Sequence, residues 1–319
     1  MHTPSPVTVT TGAADQAAHN AHLAQTHYEN FPIATRLLPP KLRRPMYALY
    51  AFCRHTDDLG DDLDGDRLAA LSSWRDDLAR CSTPDGPSHP ILRELRDAAI
   101  LPFSIPLSVF DRLVEANCRD QLQSRYQTYS ELLEYCHYSA NPVGEMVLYV
   151  FDAHNDTHRA LSDHICTGLQ LANFWQDVFD DWFNRQRLYI PLDDLRSFGL
   201  SEATLHAGTS SQAWRALMSE LVGRARDLFL LGQPLERLVP PSFQWDLTLF
   251  RQGGLAILDA IERRNYDVLR FRPTVSKPRF ALTALLSLLS LRLSQFKRPS
   301  PPPFTPINPP NPPPQVPLS

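Results

Sequence analysis

Two short acidic runs hold the residues best able to do chemistry in this chain: Arg54-His55-Thr56-Asp57-Asp58-Leu59-Gly60-Asp61-Asp62 and Asn173-Phe174-Trp175-Gln176-Asp177-Val178-Phe179-Asp180-Asp181. Carboxylates recur at the i, i+4 spacing, Asp57 with Asp61, Asp58 with Asp62 and Asp177 with Asp181. On a helix that spacing stacks side chains on one face, where like charges repel unless a cation lies between them. One acidic pair alone is ordinarily a solvated helix face. Two such runs, both embedded in apolar sequence, instead suit hard divalent cations. Mg²⁺ takes only one or two carboxylates per ion and fills its other positions with water and phosphate oxygens. Two acidic faces looking at each other would therefore hold a diphosphate through bridging Mg²⁺. The fragment Asp62-Leu63-Asp64-Gly65 looks like part of an EF-hand but fails on register. With Gly65 at the sixth loop position, Gly60 and Leu71 occupy places that require carboxylates.

The neighbours of the acidic runs fit this chemistry. Arg54 lies one turn before Asp58, and Tyr50 one turn before Arg54. An arginine there serves either as a simple helix salt bridge or as a two-pronged phosphate donor. Gln170, Asn173, Asp177 and Asp181 share a second face, so amides lead into carboxylates as supports or phosphate donors. Downstream stand Arg185, Arg187 and Tyr189. Arg187 is placed either to meet an anionic ligand or to compensate a helix C-terminus. Upstream, Ser139-Ala140-Asn141-Pro142-Val143-Gly144 puts proline and glycine inside a helical stretch, predicting a kink at Pro142. That kink is read either as room for a ligand or as a packing adjustment. The aromatics Phe31, Tyr47, Tyr50, Phe52, Tyr135, Tyr138, Tyr149, Phe174 and Trp175 are core material by default. As cavity walls they would suit an isoprenoid chain and a carbocation.

The elements that must position these groups are helices. From about His22 onward the apolar residues follow helical periodicity over 41–58, 67–81, 107–126, 129–151, 158–183, 211–231 and 243–269, with no strand alternation. With 319 residues, 43% of them hydrophobic, and only 12 glycines, the chain reads as one all-α domain with a substantial core. A net charge of −4 and scattered Lys and Arg give no reason to expect nucleic acid. No glycine-rich dinucleotide or Walker loop is present. Five cysteines without a Cys-x-x-Cys pair suit reduced thiols and a cytoplasmic location. Residues 1–21 read as a disordered lead-in with no secretory signal, and 22–296 as the helical domain. The Leu-rich segment 280–296 reads as a closing core helix or as a helix lying on the inner membrane surface. Residues 297–319 read as a disordered proline-rich tail.

Two further stretches carry a resemblance. Phe31-Pro32-Ile33-Ala34-Thr35-Arg36-Leu37-Leu38-Pro39, then Tyr47 to Arg54 running into Asp57-Asp58 and Asp61-Asp62, resembles the head-to-head isoprenoid synthases, that is, squalene and phytoene synthases. Gln170 to Val178, continuing through Arg187-Leu188-Tyr189-Ile190-Pro191, is similar to that family's second motif. The kink sequence and Ala172-Asn173-Phe174-Trp175-Gln176-Asp177 look like the bacterial hydroxysqualene synthase branch of hopanoid pathways. Gly60, Asp62 and Thr35 depart from the family's commoner Ala, Glu and Ser without removing a carboxylate.

The resemblance implies a terpenoid-synthase (isoprenoid synthase) helical fold around a central cavity. Asp57, Asp58, Asp61, Asp177 and Asp181 would hold Mg²⁺, and Asp57, Asp61, Asp177, Asp181 and Tyr50 would be catalytic. Arg36, Arg54, Gln170, Asn173, Arg187 and Tyr189 would bind the substrate diphosphate. The implied reaction ionises presqualene diphosphate and captures the cation with water to give hydroxysqualene, so NADPH is not expected. Coupling of two farnesyl diphosphates to presqualene diphosphate, or a phytoene-type coupling, is the alternative. A non-catalytic membrane-associated scaffold is a third reading. The pathway also implies association with other hopanoid-pathway enzymes.

Overall fold

The computed structural model describes residues 38–275, and the description below is confined to them. Arg36, the N-terminal lead-in, the Leu-rich segment and the proline-rich tail lie outside these residues. Among the described residues the regular structure is helical, apart from one isolated parallel bridge between Arg125 and Leu188. The principal helices are α1 (Pro40–Asp61), α2 (Arg67–Ala79), α3 (Pro90–Leu95), α4 (Leu107–Leu122) and α5 (Tyr129–Ser139). They continue as α6 (Asn141–Val150), α7 (Asp156–Gln176), α8 (Val178–Arg185), α9 (Gln212–Gly232) and α10 (Pro241–Arg263). No described helix is long and apolar enough to cross a membrane.

Local chemistry sets the boundaries. Pro40, Pro90 and Pro241 open their helices, where a missing N–H costs nothing. Asp66, Thr128, Asn155 and Ser211 cap others, each side chain accepting a hydrogen bond from a backbone N–H in the first turn. The stretches 129–151, where a kink at Pro142 is expected, and 158–183, expected as a single helix, are each divided. The first breaks at Ala140, just before Pro142, as the proline requires. The second breaks at Asp177, whose backbone (φ −102°, ψ 13°) leaves the helical region. Helix α3 and the wide turn Arg96–Ile100 that follows it carry no long apolar period and were not anticipated.

Helix α7 is the central post. Ser162, Ile165, Thr167, Gly168, Leu171, Ala172, Phe174, Trp175 and Gln176 are buried around most of its circumference, the pattern of a helix enclosed by others. It packs against α6, α9 and α10. Trp175, fully buried, ties α7 to α9 by donating its indole N–H to the Leu221 carbonyl at 3.1 Å. On the other side α1 packs with α2, α3, α4 and α6. Helix α6 thus touches both α1 and α7 and bridges them. The single core cluster runs from Leu38 to Leu269, as one domain requires.

The acidic end of α1 is fixed from behind. Thr56, fully buried, donates to the Phe52 carbonyl at 2.8 Å and accepts the Trp74 indole N–H at 3.0 Å. Thr56→Val keeps the shape but leaves that indole without an acceptor. It is expected to cost about 1–3 kcal/mol in denaturant unfolding. In the Thr56→Val/Trp74→Phe double variant the loss should be smaller than the sum of the single losses.

Candidate active site

Asp57, Asp58 and Asp61 occupy the last turn of α1, and no basic residue of that turn offsets them at the negative end of the helix dipole. Compensation comes from elsewhere. Arg54 takes the outward pair, reaching Asp58 at 2.5 Å and Asp62 at 3.2 Å. Asp57 points the other way and accepts a hydrogen bond from Asn117 of α4 at 3.3 Å. The neighbouring Gln121 donates to the Gly60 carbonyl at 2.9 Å. Gly60 permits this approach, since a Cβ there would sit 2.3 Å from the Asn117 Oδ1.

The second run is bent by its own backbone. The break at Asp177 puts Asp180 and Asp181 in the first turn of α8, whose N–H end favours anions. Gln186 then adopts a left-handed conformation (φ 56°), and the Arg187 N–H closes back on the Asp181 carbonyl at 2.9 Å. That turn returns the chain toward α1. Buried Arg187 donates to Asp61 at 2.9 Å, lies 3.8 Å from Asp120 and donates to the Asp120 carbonyl at 3.4 Å. Arg185 reaches the other Asp61 oxygen at 3.2 Å. The two acidic runs, more than a hundred residues apart in sequence, are thus joined through Arg187. Asp177 pairs with Arg272, which also donates to Gln176 at 3.3 Å. Asp177, Asp180, Asp181, Asn184 and Arg185 line a hollow of about 480 Å³.

Protein packed around Asp57 pushes its carboxyl up to about 7, against the Asn117 hydrogen bond and with help from Asp61. The Asp57 side chain is nonetheless open to solvent. A carboxylate that solvent reaches while protein surrounds it lines a concavity. Asp181, buried, is likewise pushed up to about 7 by burial and then by the Asp177 charge. Burial lifts Asp120 to about 6 despite Arg187 and the hydroxyl of Tyr135, which donates to it at 2.7 Å. Burial also raises the Tyr135 and Tyr189 phenols.

The other expected residues fall in three places. Tyr50 is buried on α1, one turn behind Arg54. Tyr189 stands in an aromatic wall, stacked on Phe174 with centroids 3.7 Å apart and flanked by Tyr126 and Tyr135. Asn173 is exposed and Gln170 half-buried on the α7 face that leads to Asp177. Sequence reasoning passed over Asp120, Asn117 and Arg272. Asn117, Asp120 and Gln121 form a polar i, i+3, i+4 patch on an otherwise amphipathic helix, a readable signal. Arg272 lies beyond the last regular helix and carried none.

Among the described residues no group of three Asp, Glu, His or Cys side chains could hold an ion unaided. A hard divalent cation such as Mg²⁺ takes only one or two carboxylates and completes its shell with phosphate and water. Asp57 and Asp61 on one element and Asp177 and Asp181 on another offer such donors.

A family model described as squalene/phytoene synthase matches residues 24–279. A phytoene synthase of Arthrospira platensis is 32% identical over 278 residues, covering 80% of this chain and 85% of its own. The 15-cis-phytoene synthase of Synechococcus elongatus is 31% identical over 273 residues, with the same two coverages of 80% and 85%. Among solved structures, squalene synthase HpnC from Alicyclobacillus acidocaldarius is 40% identical, with a TM-score of 0.76, covering 80% of this chain and 95% of that one. A dehydrosqualene synthase in complex with ligand shares the fold at a TM-score of 0.81 and 22% identity, covering 88% of this chain and 98% of its own.

Two outcomes follow from the charges. Arg187→Met takes the guanidinium from Asp120 and leaves Asp61 with Arg185 alone, and is expected to cost about 3–5 kcal/mol of stability, partly recovered by adding Asp120→Asn. An acid whose pKa is raised on folding gives stability that is full below the unfolded value and lost as pH climbs through the folded one. For Asp181 that window runs from 3.8 to about 7. In chelator, Asp181→Asn should therefore melt several degrees above the parent at pH 8, with the gain vanishing near pH 4.

Proposed function

The chain belongs to the squalene/phytoene synthase family, and on that footing we propose that it ionises presqualene diphosphate with Mg²⁺ and releases hydroxysqualene after capture of the carbocation by water. The observation that carries the reading is Arg187, which draws the two carboxylate runs into one site. The Ser139–Gly144 kink, the Asn173-Phe174-Trp175 lead-in and the similarity to squalene synthase HpnC support this branch of the family.

Asp57, Asp61, Asp177 and Asp181 would hold the ions, whereas Asp58, already paired outward with Arg54, would contribute less. Bound divalent cations supply neutralisation of the charge that grows on a departing diphosphate. The chain's own residues do the rest. Arg54, Arg185, Arg187 and Arg272 pair with site carboxylates, and an arriving diphosphate offers these guanidiniums a second anion. Asn173 and Gln170 present amide donors on the approach from α7. The aromatic wall of Phe174, Tyr135 and Tyr189 offers ring faces to a cation and keeps bulk water out. Water added to the cation loses a proton to the freed diphosphate or to a pocket hydroxyl, so no hydride donor is needed.

The second reading is coupling of two prenyl diphosphates, as the phytoene synthase relatives favour. Purified protein with Mg²⁺ and presqualene diphosphate, without NADPH, should form hydroxysqualene whose oxygen comes from ¹⁸O-labelled water. Squalene appearing only with NADPH overturns water capture, and efficient coupling of farnesyl diphosphate with little turnover of presqualene diphosphate selects the second reading. Asp57→Asn, Asp61→Asn, Asp177→Asn and Asp181→Asn should each lower turnover at least ~100-fold. Because Asp57 and Asp181 hold protons below about pH 7, Mn²⁺ affinity measured with inorganic diphosphate should climb from pH 6 to 8 and then level.

A further inference from the structure

Where α10 ends, the chain runs Arg263-Arg264-Asn265-Tyr266-Asp267-Val268-Leu269-Arg270-Phe271-Arg272. Only Arg272 of its arginines pairs with a site carboxylate, Asp177. The run is held firmly against the carboxylate end of the bundle. Asn265 and Tyr266 both take a left-handed backbone (φ 53° and 60°), which reverses the chain after α10. Val268 and Leu269 are buried, and the Tyr266 carbonyl accepts the Trp214 indole N–H at 3.2 Å. Just beyond, the Pro273 carbonyl accepts from the Gln176 amide beside Asp177.

What this anchored run presents outward differs from the rest of the surface. Most arginines of the described residues pair with a carboxylate, yet Arg263, Arg264 and Arg270 are exposed and pair with none there. Arg270 donates to the Gly208 carbonyl at 3.0 Å, and the Arg264 guanidinium stands 6.0 Å from the centre of the Phe271 ring. Asp267 does not neutralise them: it is half-buried, and its Oδ1 is enclosed without a partner. Phe271, set between Arg270 and Arg272, is 60% exposed. Helix α8, which opens at Asp177, bares Phe183 at 45%, with Phe179 beside it at 4.8 Å between ring centres. Cations and rings thus stand out together on the two elements that meet at Asp177.

Neither group gains from the fold where it stands. The headgroup layer of an anionic bilayer satisfies both, because its phosphates pair with guanidiniums and its boundary takes up aromatic rings. We propose that residues 263–271 dock the carboxylate end of the protein on an anionic membrane surface, with Phe271 entering the headgroup boundary and Arg263, Arg264 and Arg270 meeting lipid phosphates. A molecule with a long hydrocarbon body also belongs in lipid rather than water, so the docked end is the one at which such a molecule would be exchanged. That last point rests on the prenyl diphosphate reading; the charges and rings do not, and vesicle binding is measured without substrate or metal.

The test is co-sedimentation of the full-length chain with vesicles of phosphatidylcholine alone or mixed with phosphatidylglycerol. The parent should bind the mixed vesicles at least ~10-fold more tightly, and the difference should shrink in about 0.5 M NaCl. An arginine near an anionic surface strengthens binding about fivefold. Arg263→Gln/Arg264→Gln/Arg270→Gln should therefore weaken binding to the mixed vesicles at least ~30-fold, and Phe271→Ser about fivefold. Phe271→Trp, a ring for a ring at an exposed position, tests the contact directly and does not depend on the triple variant folding. Its added fluorescence should be quenched by mixed vesicles carrying brominated acyl chains. A parent that ignores vesicles, or binds neutral and anionic ones alike, overturns the proposal. So does a folded triple variant that binds as the parent does, or a Phe271→Trp protein that sediments with the vesicles unquenched. Loss of binding in Leu230→Ser/Leu231→Ser/Leu238→Ser, with the arginine variant unaffected, would move the contact to the exposed leucines near the end of α9 and overturn it as well.

Discussion

The bond between Arg187 and Asp61 is the constraint on which the site depends. Asp61 sits at the negative end of α1 with other carboxylates beside it, an arrangement that opposes its own helix dipole. Arg187 is delivered to it by a short helix, a left-handed Gln186 and a hydrogen bond back to Asp181. Nothing in either element alone favours the arrangement. Each becomes tolerable because the other is there, and Asp120 anchors the guanidinium from behind.

A gradient runs from this junction. At one end stand carboxylates and arginines, mutually compensating, with Arg187 and Asp181 buried and Asp57 open to solvent. Behind them Tyr135 joins Asp120 to the stacked rings of Tyr126, Tyr189 and Phe174, so the polar network leans on an aromatic one. Further down α7, Cys166 and Ser162 pack against Gly144 of α6. A molecule with an anionic head and a long hydrocarbon body matches that order. Charge is handled where water enters, and a reactive cation would be handled where it does not.

The arginines give the acidic end a second property. Arg185, Arg187 and Arg272 already engage Asp61 and Asp177, two of the carboxylates that would receive metal ions, so bare cations would compete with them. A diphosphate relieves that competition by offering the same arginines an anion. Metal and diphosphate would then be linked ligands, each strengthening the other's binding.

The sequence by itself determined the helical class, the approximate helix spans, the kink before Pro142 and the two carboxylate runs. Those features follow from local rules, periodicity, capping and i, i+4 spacing, which need no knowledge of neighbours. It also marked Arg54, yet could not say whether its partner was a ligand or Asp58 and Asp62, because both choices look alike along one helix. Tertiary structure alone decided that the long 158–183 stretch bends at Asp177, that Arg187 crosses to Asp61, and that Asp120, Asn117 and Arg272 belong to the site. These are contacts between residues about 60 to 126 positions apart in the chain or, for Arg272, 95. Pairings at such separations are set by how helices pack, and no local pattern encodes which side chains will meet.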